Sequence, residues 1–165
     1  MNSYSFDIRG YLQPKVIVEM TFDDFEAVFV STFEDSRTRS IIFQEFKRYT
    51  NDLKETLKSP FIQWIDGSFV NNRTLNPNDI DLVTIIEDEI YRVYESEIDN
   101  RFSKYSVNKF YEKLDAYTVR SYPKTHKFHE IYAADYAYWH EWFSLSKVNR
   151  AKQRFEKGFI QLKLF

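Results

Sequence analysis

Two carboxylates stand where a folded chain seldom places them. The run Asn78-Asp79-Ile80-Asp81-Leu82-Val83 reads as a β-strand, and both β-propensity and burial disfavour aspartate there. Side chains alternate along a strand, so Asp79 and Asp81 share one face while Ile80 and Leu82 point to the other. The rise per residue sets the two acids roughly 6–7 Å apart. Like charges at that spacing repel unless something positive lies between them. A divalent cation meets the need, because carboxylate oxygens are the ligands Mg²⁺ prefers and substrate phosphates usually complete its octahedron. Upstream, the apolar run Phe61-Ile62-Gln63-Trp64-Ile65 ends in a tight turn at Asp66-Gly67-Ser68. Only three glycines occur in the chain, so the one in this turn is either a close-approach point for phosphate or a plain hairpin residue.

A strand closing on Gly-Ser, ten residues from Phe69 to Asn78, then Asp-Ile-Asp-Leu-Val resembles the minimal active-site signature of the DNA polymerase β-like nucleotidyltransferase superfamily. The resemblance implies that Gly67 and Ser68 hold a nucleoside triphosphate and that Asp79 and Asp81 hold two Mg²⁺ ions. A third carboxylate from a later strand is also implied, and Asp115, at the start of the β-like run Leu114–Pro123, is the residue in that place. Its other reading is a cap between helix and strand. Asp66 departs from the usual apolar residue before the glycine, and is either a helper acid or a turn residue bonded to its own backbone. The implied activity is Mg-dependent transfer of a nucleoside monophosphate from an NTP such as ATP to an acceptor hydroxyl on an RNA 3′ end, a protein or a small molecule. Similar minimal domains serve in toxin–antitoxin or phage-defence pairs. The alternative is a module of the same fold that has lost turnover and acts by binding a partner protein. Most of the chain also resembles a short, largely uncharacterised bacterial subgroup, through Gly10-Tyr11-Leu12-Gln13-Pro14, Gly67-Ser68-Phe69-Val70, the Asp79–Asp81 strand and Lys157-Gly158.

The elements that must position these groups are legible in outline. With 165 residues, 43% hydrophobic and 19% aromatic, the chain suits a single domain with a phenylalanine- and tyrosine-rich core. Net charge is −2, which excludes a global electrostatic footprint for nucleic acid but leaves room for a local basic groove. The absence of cysteine excludes a disulfide scaffold and cysteine-ligated zinc. No signal peptide or bilayer-length apolar run is found, so the expectation is a cytoplasmic protein without membrane contact.

Residues 1–60 read as a lead-in with a short strand at Val16–Val18, a helix capped by Thr21, and a long helix entered at Ser36 and stopped by Ser59-Pro60. Its basic residues, Arg37, Arg39, Lys47, Arg48, Lys54 and Lys58, read as a solvated face. Residues 61–122 carry the core strands, a helix opened by Glu87-Asp88-Glu89 that presents Ile90, Val93, Tyr94 and Ile98, and a helical piece over 106–113 that turns Val107 and Phe110 inward. Residues 123–165 supply an aromatic helix over 125–145 capped by Thr125, a basic stretch over 147–157 and a terminal alternating strand from Phe159. The helix aromatics read as core. His126, His129 and His140 lack a further ligand nearby and read as surface residues. Together these predict an α+β fold: a small mixed or antiparallel sheet with helices packed on it.

Overall fold

A computed structural model describes residues 3–165. Strands β1 (Ser5–Phe6) and β2 (Leu12–Gln13) form a small antiparallel pair in the lead-in. After β3 (Ile17–Met20), Thr21 caps helix α1 (Phe22–Glu26), its side chain accepting from Asp24 N at 3.0 Å. The helix continues as a π-helical turn, Ala27–Ser31, and delivers Phe25 and Phe29 to the core. Helix α2 (Arg39–Leu57) is entered through Ser36, whose Oγ accepts from the backbone of Thr38 and Arg39. It ends at Lys58, which takes a left-handed turn with φ 47° two residues before Pro60.

Four longer strands follow: β4 (Phe61–Asp66), β5 (Ile80–Glu87), β6 (Leu114–Ser121) and β7 (Phe159–Leu164). The sheet order is β3-β7-β4-β5-β6, with β3–β7 and β5–β6 parallel and the two central pairs antiparallel. This is the expected α+β architecture, with a five-stranded mixed sheet. Alternation divides the strand residues between two faces. Ile65, Leu82, Ala116 and Ile160 pack with Phe25, Phe43, Phe46 and Leu53 on the α2 side. Trp64, Val83, Val119 and Phe159 meet Trp139 and Phe143 of helix α5 (His129–Phe143) on the other.

Between β5 and β6 the chain departs from the expected pair of helices. It breaks at Tyr94 into α3 (Asp88–Val93) and the single turn α4 (Glu95–Glu97), followed by a π-helical turn Ile98–Phe102. The break redirects the chain so that Ile98 and Phe102 are buried while Val93, expected inside, is exposed. The expected helical piece over 106–113 is one 3₁₀ turn, Val107–Lys109, which buries Val107 and Tyr111 and leaves Phe110 out. Helix α5 starts after Phe128 rather than at Thr125, because the preceding residues spend their backbone groups in turns, with His126 N bonded to Pro123 O and His129 N to His126 O. Among the described residues no helix is long and apolar enough to cross a membrane.

Candidate functional site

Strand register brings three carboxylates into one row. Asp66 at the end of β4 is the partner of Asp81 on β5, and Asp81 is the partner of Asp115 on β6. Ile65, Leu82 and Ala116 enter the α2-side core, so their neighbours Asp66, Asp81 and Asp115 all belong to the α5 face. Asp79 lies half-buried just before β5, not inside the strand as its alternation with Asp81 suggested. Asp81 is the electrostatic centre of the set. Burial pushes its carboxyl up to about 7, and the charges of Asp79, Asp66 and Asp115 add to the shift, with Lys147 pulling the other way.

The Gly67 turn is built around that same carboxylate. Gly67 has φ 82°, a conformation other residues rarely adopt, and a Cβ on it would run into Asp81 Oδ2. Ser68 begins a 3₁₀ turn, Ser68–Val70, and is exposed. Asp66, Gly67, Ser68 and Asp81 line one wall of a cavity of about 290 Å³. The far wall comes from the end of α5 and the loop beyond it, with Trp142, Phe143, Lys147, Arg154 and Lys157. That loop is ordered by a short ladder: Ser146 N donates to Phe155 O at 2.8 Å, Lys157 N to Ser144 O at 2.9 Å, and Asn149 N to Gln153 O at 3.0 Å.

Two of the acids already have cationic partners. Lys157 Nζ donates to Asp66 Oδ1 and to Phe143 O, the latter at 2.8 Å, in a pair buried on both sides. Burial still keeps the Asp66 carboxyl above its ordinary value against the pull of Lys157. At the other end of the row Lys104 is paired with Asp115. Among the described residues, no ion pair involves Asp79 or Asp81, and no group of three or more His, Asp or Glu side chains is gathered closely enough to hold a metal ion. Asp79 and Asp81 are thus the two acids of the set without a cationic partner, and two carboxylates are the oxygen donors that a Mg²⁺ ion would find there. Asp115 joins such a set only by exchanging Lys104. The histidines are engaged elsewhere: His126 Nδ1 accepts from Phe128 N, His129 Nδ1 meets Tyr122 O, and the His140 ring packs edge-on against Trp64 and Phe159.

Arg39 corrects the expectation of a solvated α2 face. It is 0% exposed and donates to the carbonyls of Phe29 (2.8 Å), Phe69 (2.7 Å), Asn71 (3.0 Å) and Thr74 (2.6 Å), with its guanidinium over the Phe33 ring. It therefore fixes the loop that runs from the Gly67 turn toward Asp79. Its signal was present in the sequence, since Arg39 precedes Ile42, Phe43 and Phe46 by three, four and seven residues and so lies on the apolar stripe of α2. Lys157, read as part of a basic stretch, is likewise inside, and nothing local to it announced the partner on β4.

A family model described as a family of unknown function (DUF6932) matches residues 4–163. No curated protein and no solved structure matches the chain.

Proposed function

For this chain, which belongs to that family of unknown function, we propose a Mg-dependent nucleotidyltransferase that moves a nucleoside monophosphate from an NTP to an acceptor hydroxyl. The observation that carries the reading is the register of Asp66, Asp81 and Asp115, with the Gly67 turn seated on Asp81 at the mouth of the cavity. In this reading Gly67 and Ser68 receive the triphosphate, and Lys147 at the opposite wall meets its negative charge. Asp79 and Asp81 would hold the two Mg²⁺ ions of the expected pair, with Asp115 completing the set and taking the proton from the acceptor hydroxyl as pyrophosphate leaves. Mg²⁺ held there would supply neutralisation of the phosphates and a lowered pKa for the attacking oxygen. Reaction in a cytoplasmic setting, within a toxin–antitoxin or phage-defence pair, belongs to the same proposal.

A second reading has its own observation in favour. The ion pairs Lys157–Asp66 and Lys104–Asp115 occupy two acids of the row, as suits a domain that keeps the fold and binds a partner protein without turnover. Calorimetric titration of ATP, GTP, CTP and UTP with Mg²⁺, on the natural chain and on the Asp79→Asn, Asp81→Asn double variant, separates the two. Metal-dependent NTP binding that is lost in a folded double variant supports the transferase. Failure of a folded natural chain to bind any NTP sinks it and leaves the partner-binding module.

A further inference from the structure

Helix α5 covers the sheet with one stripe and leaves a second aromatic stripe in water. Trp139 and Phe143 pack onto the sheet, whereas Tyr138 and Trp142 are 57% and 52% exposed. Their rings are stacked, 6.3 Å between centroids and 12° apart, one helical turn from each other. The Arg154 guanidinium lies 5.9 Å from the Trp142 ring centroid. Trp142 and Arg154 also line the cavity that holds Gly67, Ser68 and Asp81, so the stripe runs from the site outward along the helix.

The loop beside this stripe is where the chain concentrates positive charge. Between Ser144 and Lys157 there are five basic residues and one acid, in a protein of net charge −2. Lys157 is committed to Asp66 and Glu156 to Lys15, while Lys147, Arg150, Lys152 and Arg154 are exposed and, among the described residues, without an ion-pair partner. An exposed pair of aromatic rings flanked by cations without ion-pair partners matches the two requirements of a single-stranded nucleic acid, stacked bases and a followed backbone. An apolar protein partner would leave those cations unpaired. A lone nucleotide would use Trp142 at the cavity but not Tyr138, a turn farther out, nor Arg150 and Lys152, which lie outside the cavity lining. Asp135, one turn before Tyr138, and the exposed Glu141, one turn after it, confine the favourable field for phosphate to the side of the stripe that faces the basic loop.

We propose that Tyr138, Trp142 and the loop bearing Lys147, Arg150, Lys152 and Arg154 form a docking surface for a single-stranded RNA, which delivers its 3′ end to the cavity as the acceptor. The part concerning delivery rests on the nucleotidyltransferase reading; the surface itself does not.

The test is fluorescence anisotropy of a labelled 12-nucleotide oligouridine at two or more salt concentrations, with no metal or NTP added. Binding is expected to weaken linearly in log salt. Tyr138→Ala with Trp142→Ala, both at exposed positions, should weaken it at least about tenfold, and Arg150→Gln with Lys152→Gln should lower the salt slope by about 1–2. Tyr138→Ala alone should leave NTP binding unchanged. Absence of RNA binding at low salt, or binding indifferent to both pairs of substitutions, overturns the surface. So does a natural chain that self-associates through this stripe in sedimentation, becomes monomeric on Trp142→Ala, and binds no RNA. RNA bound by this surface with no NTP bound by the chain would keep the surface and sink the transferase. NTP bound without RNA would do the reverse.

Discussion

On the α2 side of the sheet a buried cation, Arg39, is enclosed by the carbonyl oxygens of Phe29, Phe69, Asn71 and Thr74; on the α5 side another, Lys157, is enclosed against a carboxylate, Asp66. The first cage is made of neutral dipoles. Burial holds the guanidinium down at about 10, still charged at any pH the fold will meet, and the arginine ties together backbone segments that no strand or helix connects. The second cage is an ion pair at the edge of a cavity, and altering either member changes the charge presented to whatever enters. One side of the molecule uses a cation to fix shape, the other to set electrostatics, and only the second is placed to respond to a ligand.

That contrast can be broken most forcefully at Arg39. Arg39→Met should cost about 4 kcal/mol or more in urea unfolding, since several carbonyls lose their donor at once. A loss below about 1 kcal/mol would show that the cage does not hold the loop. Lys157→Met should cost about 3 kcal/mol by leaving Asp66 buried and unpaired, and Lys157→Met combined with Asp66→Asn should recover much of it. A double variant no better than the single one would remove the electrostatic account of that pair. Gly67→Ala, which must keep φ at 82° and push Asp81 aside, should lose about 2 kcal/mol and weaken NTP binding.

The acid row itself is sharpened by pH. The folded Asp81 carboxyl holds its proton up to about 7, whereas the unfolded chain releases it near 3.8. The folded state therefore binds more protons in that window, and metal-free stability should fall as pH rises through it. Asp81→Asn should flatten the fall and gain about 1–2 kcal/mol at pH 8, the full shift being discounted for partial exposure. A stability profile unchanged by Asp81→Asn would mean that burial, with the neighbouring carboxylates, does not hold the Asp81 proton in the folded state. The smallest effect is expected at the α2 entry, where Ser36→Ala should cost about 1 kcal/mol by removing the acceptor for two backbone N–H groups.

The strands were legible because each is either an alternating run or a short apolar run bounded by turn residues, and β4, β5, β6 and β7 lie where such runs lie. Of the two aspartates that drew notice there, Asp81 does lie in β5, whereas Asp79 falls just before it. What local sequence does not contain is register. That Asp81 stands between Asp66 and Asp115 depends on β4 and β6 both flanking β5, and Lys157, which answers Asp66, comes from the loop before β7, far along the chain. Periodicity also failed on α5, where aromatic residues occupy nearly every face: Tyr132, Trp139 and Phe143 pack inward while Tyr138 and Trp142 do not, and composition could not tell these apart. Arg39 was missed for another reason, since its place on the apolar stripe was visible but its charge argued against burial.

Strand β7 enters the sheet between β3 and β4, and Ile17 pairs with Phe159. Gly158 makes the entry possible, for a Cβ there would approach Val16 O to 2.8 Å and strike Pro14 O. During synthesis, then, β3 and β4 must both wait for a strand made much later, and neither can close its inner edge alone. Such a contact order slows folding and leaves Phe61-Ile62-Gln63-Trp64-Ile65 as an unpaired, aggregation-prone edge on one side until β7 arrives. A chaperone, or any factor that shields nascent strands, would find its client segment there.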